Sequence, residues 1–300
     1  MKKFYLLVLI FAIGLGAMAQ KKWNTGSGQW NVPGNWSPSG VPGNNERITF
    51  DNGATVTITN VPTIFISDLV ITGNTHVTLQ NIAPAVVTVT NGSGTDVNVA
   101  SGSSLTLGSG VDIMTDNASI TMNGQFTIAA NRKFVNDGSF SLGSAALVEV
   151  SGTFENKSTI SNASAARLKF LSGGTYQHSL NGSSVPTSSW HAASTCKITG
   201  VTNAAPSGLG QAFGNFAWEC ASQNQTEQIA SSGMSVAGTL LVSNTGSGRL
   251  LMNQETLNVG NFELSGGTFQ ISDGFVVFFE IGTPRTLNVS GNLSMSGGTL

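Results

Sequence analysis

Few residues in this chain have the types and spacing that chemistry requires. Of the aspartates Asp51, Asp68, Asp96, Asp112, Asp116, Asp137 and Asp273, only Asp112 and Asp116 are near neighbours. An acid paired with a base is the minimum for cutting a glycosidic bond. Two carboxylates four residues apart across a turn are weak grounds for such a pair. His191 lies five residues before Cys196, a spacing that could serve a thiol nucleophile or a metal site. A reactive thiol needs an oriented base and an electropositive setting, and the surrounding residues indicate neither. The run from Asn91 to Val99 (NGSGTDVNV) has some of the residues of the calcium-binding nonapeptide repeat. That motif needs a second adjacent glycine and several copies; one incomplete copy reads as a turn. Trp23, Trp30 and Trp36 could form a stacking platform for a glycan. The role expected of them, ahead of that one, is to cover the open end of a repetitive β-structure, which a terminal unit must shield. The expectation for residues 20–300 is therefore no catalytic residue, no metal and no cofactor.

The first residues read MKKFYLLVLIFAIGLGAMAQ. Lys2 and Lys3 supply a positive start, Phe4 to Leu15 an apolar stretch, and Ala17-Met18-Ala19 a small-residue cleavage site. This is the pattern of a secretory signal peptide over residues 1–19. It is shorter than the roughly 20 apolar residues needed to span a bilayer. No second apolar run approaches that length, so the expectation is a chain that does not span the membrane and works outside the cell or on its surface.

Removing the leader leaves 11 basic against 15 acidic residues, a net charge of −4. The charges are scattered with no basic stripe, which argues against nucleic acid as a partner. Hydrophobic residues make up 40%, too many for a disordered chain. Val, Ile, Leu and Phe are separated by Ser, Thr, Asn and 37 glycines, the vocabulary of strands joined by tight turns.

Alternation with a period of two recurs through the chain, as in Val56/Ile58, Val77/Leu79, Leu105/Leu107, Phe126/Ile128 and Phe140/Leu142. Each is a short strand with one buried face. Helical periodicity is sustained nowhere in the mature chain. Three such strands make a coil of roughly 22 residues, within the range of repeat architectures. An internal repeat favours stacked coils over a sandwich. The segment Thr256 to Phe269 (TLNVGNFELSGGTF) returns as Thr286 to Leu300 (TLNVSGNLSMSGGTL) with one inserted residue, and Val236 to Val242 is a looser copy. The sequence predicts an all-β protein, a right-handed parallel β-helix with a Trp-rich N-terminal cap. Its expected parts are the leader at 1–19, the cap at 20–50 and regular coils at 51–172. Irregular coils with longer loops follow at 173–228, then repeats at 229–300 that break off inside a copy, as a fragment would.

Cys196 and Cys220 are separated by close to one such coil. In an exported protein with two cysteines a disulfide is expected. A rung spacing of about 4.8 Å lies inside the Cα separation of about 4.4–6.8 Å that the bond tolerates. The pairing would contribute on the order of 3 kcal/mol by chain-entropy reasoning.

The N-terminal run Gly28-Gln29-Trp30, Gly34-Asn35-Trp36-Ser37 and Gly40-Val41-Pro42-Gly43, leading into Ile48-Thr49-Phe50, resembles the opening of large secreted β-helical proteins of Bacteroidetes-type bacteria. The middle of the chain is similar to the same group at Gly174-Thr175-Tyr176-Gln177-His178, at Ser194 to Val201 and at Phe213 to Cys220. The resemblance implies export to the surface or medium, by the type IX secretion machinery where a C-terminal sorting domain is present. No such domain is visible here, and the group supplies no catalytic residue to carry over. The function expected is a structural or adhesive surface module. The alternative is the scaffold of a polysaccharide-binding or polysaccharide-degrading protein, with extracellular polysaccharide or matrix as partner.

Overall fold

The computed structural model describes residues 20–92, 94–229, 232–252, 256–271 and 285–300; the leader expected at 1–19 lies outside them. Among the described residues there is no α-helix, and none is long and apolar enough to cross a membrane. Short strands instead wind round three faces in about ten turns. Arg47–Phe50, Thr55–Thr59 and Ile64–Ile66 occupy the first, second and third faces, and Asp68–Ile71, His76–Leu79 and Ala85–Thr90 repeat the order one coil later. Each strand pairs in parallel with the strand one coil away. At about 4.8 Å per rung the stack is a rod on the order of 50 Å long.

Alternation in the sequence becomes columns in the solenoid. Val56, Val77, Leu105, Phe126, Val148 and Leu168 stand one above another, pointing inward and fully buried. Beside them Thr57, Thr78, Thr106 and Thr127 form an outward column. On the third face Phe134, Phe154 and Tyr176 stack with ring centroids 5.3 and 6.3 Å apart. Offset aromatic contacts of this kind contribute about 0.5–1.5 kcal/mol beyond their buried area.

The internal repeat is a pair of neighbouring coils. Thr256, Leu257, Asn258 and Val259 lie in register with Thr286, Leu287, Asn288 and Val289. Beyond the extra residue, Phe262 and Leu264 lie on Leu293 and Met295. The looser copy falls in the coil before, with Val236 on Val259 and Leu240 on Phe262. Corners absorb most of the variation in coil length, and register shifts at Trp218/Glu219 and Val236/Thr239 take up some of the rest. On the first face Leu69, Val97, Ile120 and Phe140 stand one above another, although each coil between them is shorter than the one before. Gly110 shows why small residues sit at corners. Its φ is +74°, and a Cβ there would lie 2.1 Å from the Asn81 carbonyl oxygen.

The cap is built differently. Gln20–Trp23 lies parallel to the strand at Arg47–Phe50 and antiparallel to Trp36–Ser37, which sets Trp23 opposite Trp36. Trp36 meets Trp23 and Trp30 edge to face at 4.9 and 4.8 Å, and the cluster rests on Phe50.

The third face runs unbroken from Ile64–Ile66 to Leu293–Met295. Among the described residues the other two do not. The first-face sheet ends at Ile160–Ser161 and the second-face sheet at Ser189–Trp190. Ala212–Phe213 takes up the second face again, but it pairs forward with Ser235–Val236 and has no ladder back to Ser189–Trp190.

Phe154 touches Phe134, Phe140 and Tyr176 and is fully buried. Phe154→Ala is expected to cost about 3–5 kcal/mol in urea unfolding. Thr127→Ala, one of the outward column, should stay within about 0.5 kcal/mol. Equal effects at the two sites would contradict the inward and outward assignment.

Candidate functional site

The three N-terminal tryptophans are core residues. Trp23, Trp30 and Trp36 are 0%, 1% and 2% exposed, so no ring face is free to stack on a sugar. The Trp23 and Trp36 indoles donate to the Gly26 and Trp30 carbonyls at 2.9 and 2.8 Å, holding the cluster over the end of the core.

Asp112 and Asp116 are not paired. Asp112 accepts from the Lys133 amide at 2.8 Å and meets the Arg132 guanidinium at 3.3 Å, tying one coil to the next. Asp116 is exposed at the far end of the same strand, where it accepts from Asn117. Asp96, in the turn after Asn91, is fully buried and accepts from the Gly92 and Ser119 amides at 2.8 and 2.6 Å. These bonds make it a clasp between a long corner and the coil above. Among the described residues no three His, Cys, Asp or Glu side chains converge as metal ligands would.

The expected disulfide is absent, and the one-coil register behind it is wrong. The coil that follows Cys196 is shorter than the spacing of the two cysteines, so Cys196 lies against Phe216 and not against Cys220. Cys220 comes four residues later, about 13 Å along an extended chain, well beyond the limit of about 7 Å between Cα atoms. Both thiols are free and buried. Burial pushes the Cys220 thiol up to about 12 and that of Cys196 well above its ordinary range. His191 is exposed at a corner and accepts from the Ala193 amide, whereas Cys196 points into the core, so the two do not form a nucleophile and base.

Two arrangements escaped the sequence reading. The first is a buried polar chain where the third face turns into the first. Asn136 donates to Asn156 Oδ1 at 2.7 Å, and Asn156 donates to the Tyr176 hydroxyl at 3.2 Å. His178 Nε2 lies 2.8 Å from the Gly182 carbonyl, which can only accept, so Nε2 carries the proton. Nδ1 then accepts from the Tyr176 hydroxyl at 3.1 Å. Burial lowers the His178 pKa below its ordinary 6.5, only partly countered by the bond to Gly182. Burial also raises that of the Tyr176 hydroxyl. Every group is thus held neutral. The signal lay in Asn136, Asn156 and His178 recurring once per coil where apolar residues are the rule.

The second is an open groove on the second face, about 620 Å³ in volume. It begins at the break in the ladder, where Trp190 stacks on Phe170 at 4.5 Å and meets Phe213 edge-on at 5.1 Å. The Trp190 indole donates to Gln211 Oε1 at 3.0 Å, and the ring is half-buried. From there the groove passes over residues 212–214, 235–237, 258–260 and 287–290, one stretch from each coil. Ala192, Ala212, Gly214, Ala237, Gly260 and Ser290 leave it concave, and Asn258 and Asn288 stand at its rim, joined at 2.9 Å. The clue was small residues recurring once per coil around the Gly-Asn pairs at Gly214, Gly260 and Gly291.

No protein family, curated protein or solved structure matches this chain.

Thiol titration without reductant should find no reactive cysteine in the native protein and two in denaturant; a single labile thiol or none after unfolding would contradict the packing. The buried histidine makes stability depend on acid. Below its ordinary pKa of 6.5 an unfolded histidine takes up a proton that folded His178 does not. Stability present above that pH is therefore lost as pH falls through the folded value. Glu155 titrates lower. Burial raises its carboxyl, but Lys133 and Ser179, with the charge of Lys157, outweigh burial and hold it below 4.5. The range from about pH 6.5 to about pH 5 thus separates the loss at His178 from that at Glu155. Unfolding midpoints should fall across it, and His178→Gln should flatten the slope while lowering stability at neutral pH.

Proposed function

We propose that this chain is an exported, non-catalytic surface module, a rigid rod that acts by shape and by repeated weak contacts. The observation that carries the reading is the register of its outer rows. Thr57, Thr78, Thr106 and Thr127 repeat over four successive rungs of the second face, where Glu149 and Lys169 continue the column, and Thr153, Thr175 and Thr195 over three of the third. β-Branched side chains held by a sheet have restricted χ1 angles, so their hydroxyls form a fixed array. Each bond to a partner is weak, yet many at once can raise overall affinity by about 10² to 10⁴. A polysaccharide or matrix, itself repetitive, suits such a surface. The resemblance to secreted β-helical proteins and the leader at 1–19 support export to the cell surface or medium, with the secretion machinery as an encounter partner.

The second reading, a scaffold within a polysaccharide-binding or polysaccharide-degrading protein, draws on the groove beside Trp190. A panel of insoluble polysaccharides, with and without calcium, separates the two. The mature chain is expected to be retained on one or more of them and to release no soluble sugar. Retention on none would contradict the adhesive reading. Sugar release abolished by Asp112→Asn or Asp116→Asn would overturn the non-catalytic one.

A further inference from the structure

We propose that the groove starting at Trp190 is a binding site for a linear, uncharged polysaccharide lying along the axis of the solenoid. Shape comes first. The groove crosses five successive coils, so at about 4.8 Å per rung it is about 19 Å long. That length holds several sugar rings in a row and is wasted on a monosaccharide. Its volume of about 620 Å³ falls within the range of about 300–1,000 Å³ usual for ligand clefts.

Chemistry narrows the occupant. Among the described residues not one charged side chain lines the groove, so nothing there would offset the charge of an anionic chain. Its surface combines the half-buried ring of Trp190, backed by the buried side chain of Phe213, with the carboxamides of Asn258 and Asn288. A pyranose ring has the same two-sided character, with C–H groups on its faces and hydroxyls round its edge. The Trp190 ring accepts a face, while the carboxamides both donate to and accept from the hydroxyls. In the bond between them Asn288 is donor and Asn258 acceptor, which leaves the Asn258 amide nitrogen and the Asn288 carbonyl oxygen for a ligand. A peptide adding as a further strand is disfavoured. Strands 235–236 and 258–259 have parallel partners on both sides, so they offer no edge to extend.

This inference rests on reading the chain as a contact-making surface module. The full mature chain is titrated with mannohexaose, cellohexaose and xylohexaose, with oligogalacturonate as the anionic control, by calorimetry and by iodide quenching of tryptophan fluorescence. Trp190 is the half-buried indole, whereas Trp23, Trp30, Trp36 and Trp218 are buried. At least one neutral hexasaccharide is expected to bind saturably and to shield the fluorescence from iodide. Asn258→Ala with Asn288→Ala should weaken binding by about tenfold, the scale of losing a good hydrogen bond. Ala237→Trp, at an exposed position in the groove, should abolish it while leaving the unfolding midpoint in place. No binding of any neutral hexasaccharide at millimolar concentration would overturn the proposal, as would tighter binding of oligogalacturonate. So would binding that survives Ala237→Trp. If the chain still adheres to insoluble polysaccharide in that last case, the surface-module reading stands and the groove alone is excluded.

Discussion

Stacking is the constraint on which the rest of the molecule depends. A coil of roughly 22 residues has six or seven inward side chains, and each contributes about 1.5–3 kcal/mol when fully buried. Ordering each backbone residue costs about 1–2 kcal/mol. One coil cannot hold itself, so its side chains have to be buried between the coils above and below. Like residues must then fall on like residues, as they do from Val56 to Leu168 and from Phe134 to Tyr176. The exposed end rung over the N-terminal core cannot be met in that way. There the antiparallel strand at Trp36–Ser37 and three interlocked indoles replace the missing neighbour.

Because one continuous ladder is enough to keep coils in step, the other two can be interrupted. The third face carries the register through the region where the first and second faces break. The features that differ from a plain rod lie at those breaks. His178 and Gly182 close the buried polar chain just past the last first-face strand of the N-terminal stack, and the groove opens where Trp190 loses its forward partner. Outside them the outward columns hold runs of threonine, interrupted by charged residues such as Glu149 and Lys169 and by exposed Phe65 and Met114. That contrast is the ground for proposing specific binding at the groove and diffuse contact along the threonine rows.

Fold class was legible in the sequence because burial on one side of a strand leaves a period of two, and stacking leaves a period of one coil. The repeat at Thr256 and Thr286 even revealed its register, down to the inserted residue. The cysteine pairing was not legible, for a related reason. A mean coil length says nothing about any single coil, and the coil from Thr195 to Asn215 is shorter than the one from Phe216 to Leu240. Corners set those lengths, and corner residues carry little pattern. The groove was hidden as well, since it is made by side chains that are absent, at Gly214, Ala237 and Gly260. The buried chain ending at His178 left a faint trace, polar residues at inward positions one coil apart, which only the register turns into contacts.

The core, the cap and the groove all depend on successive coils lying in register along the rod, and one distance tests that register most directly. Thr57 and Lys169 occupy the same outward column of the second face, five rungs apart. Although they are far apart in the chain, stacking places them about 24 Å from one another. Spin labels at Thr57→Cys and Lys169→Cys, in a chain with Cys196 and Cys220 changed to Ala, should give one narrow distance distribution near that value. A broad distribution, or a single distance far from it, would contradict the stacked register.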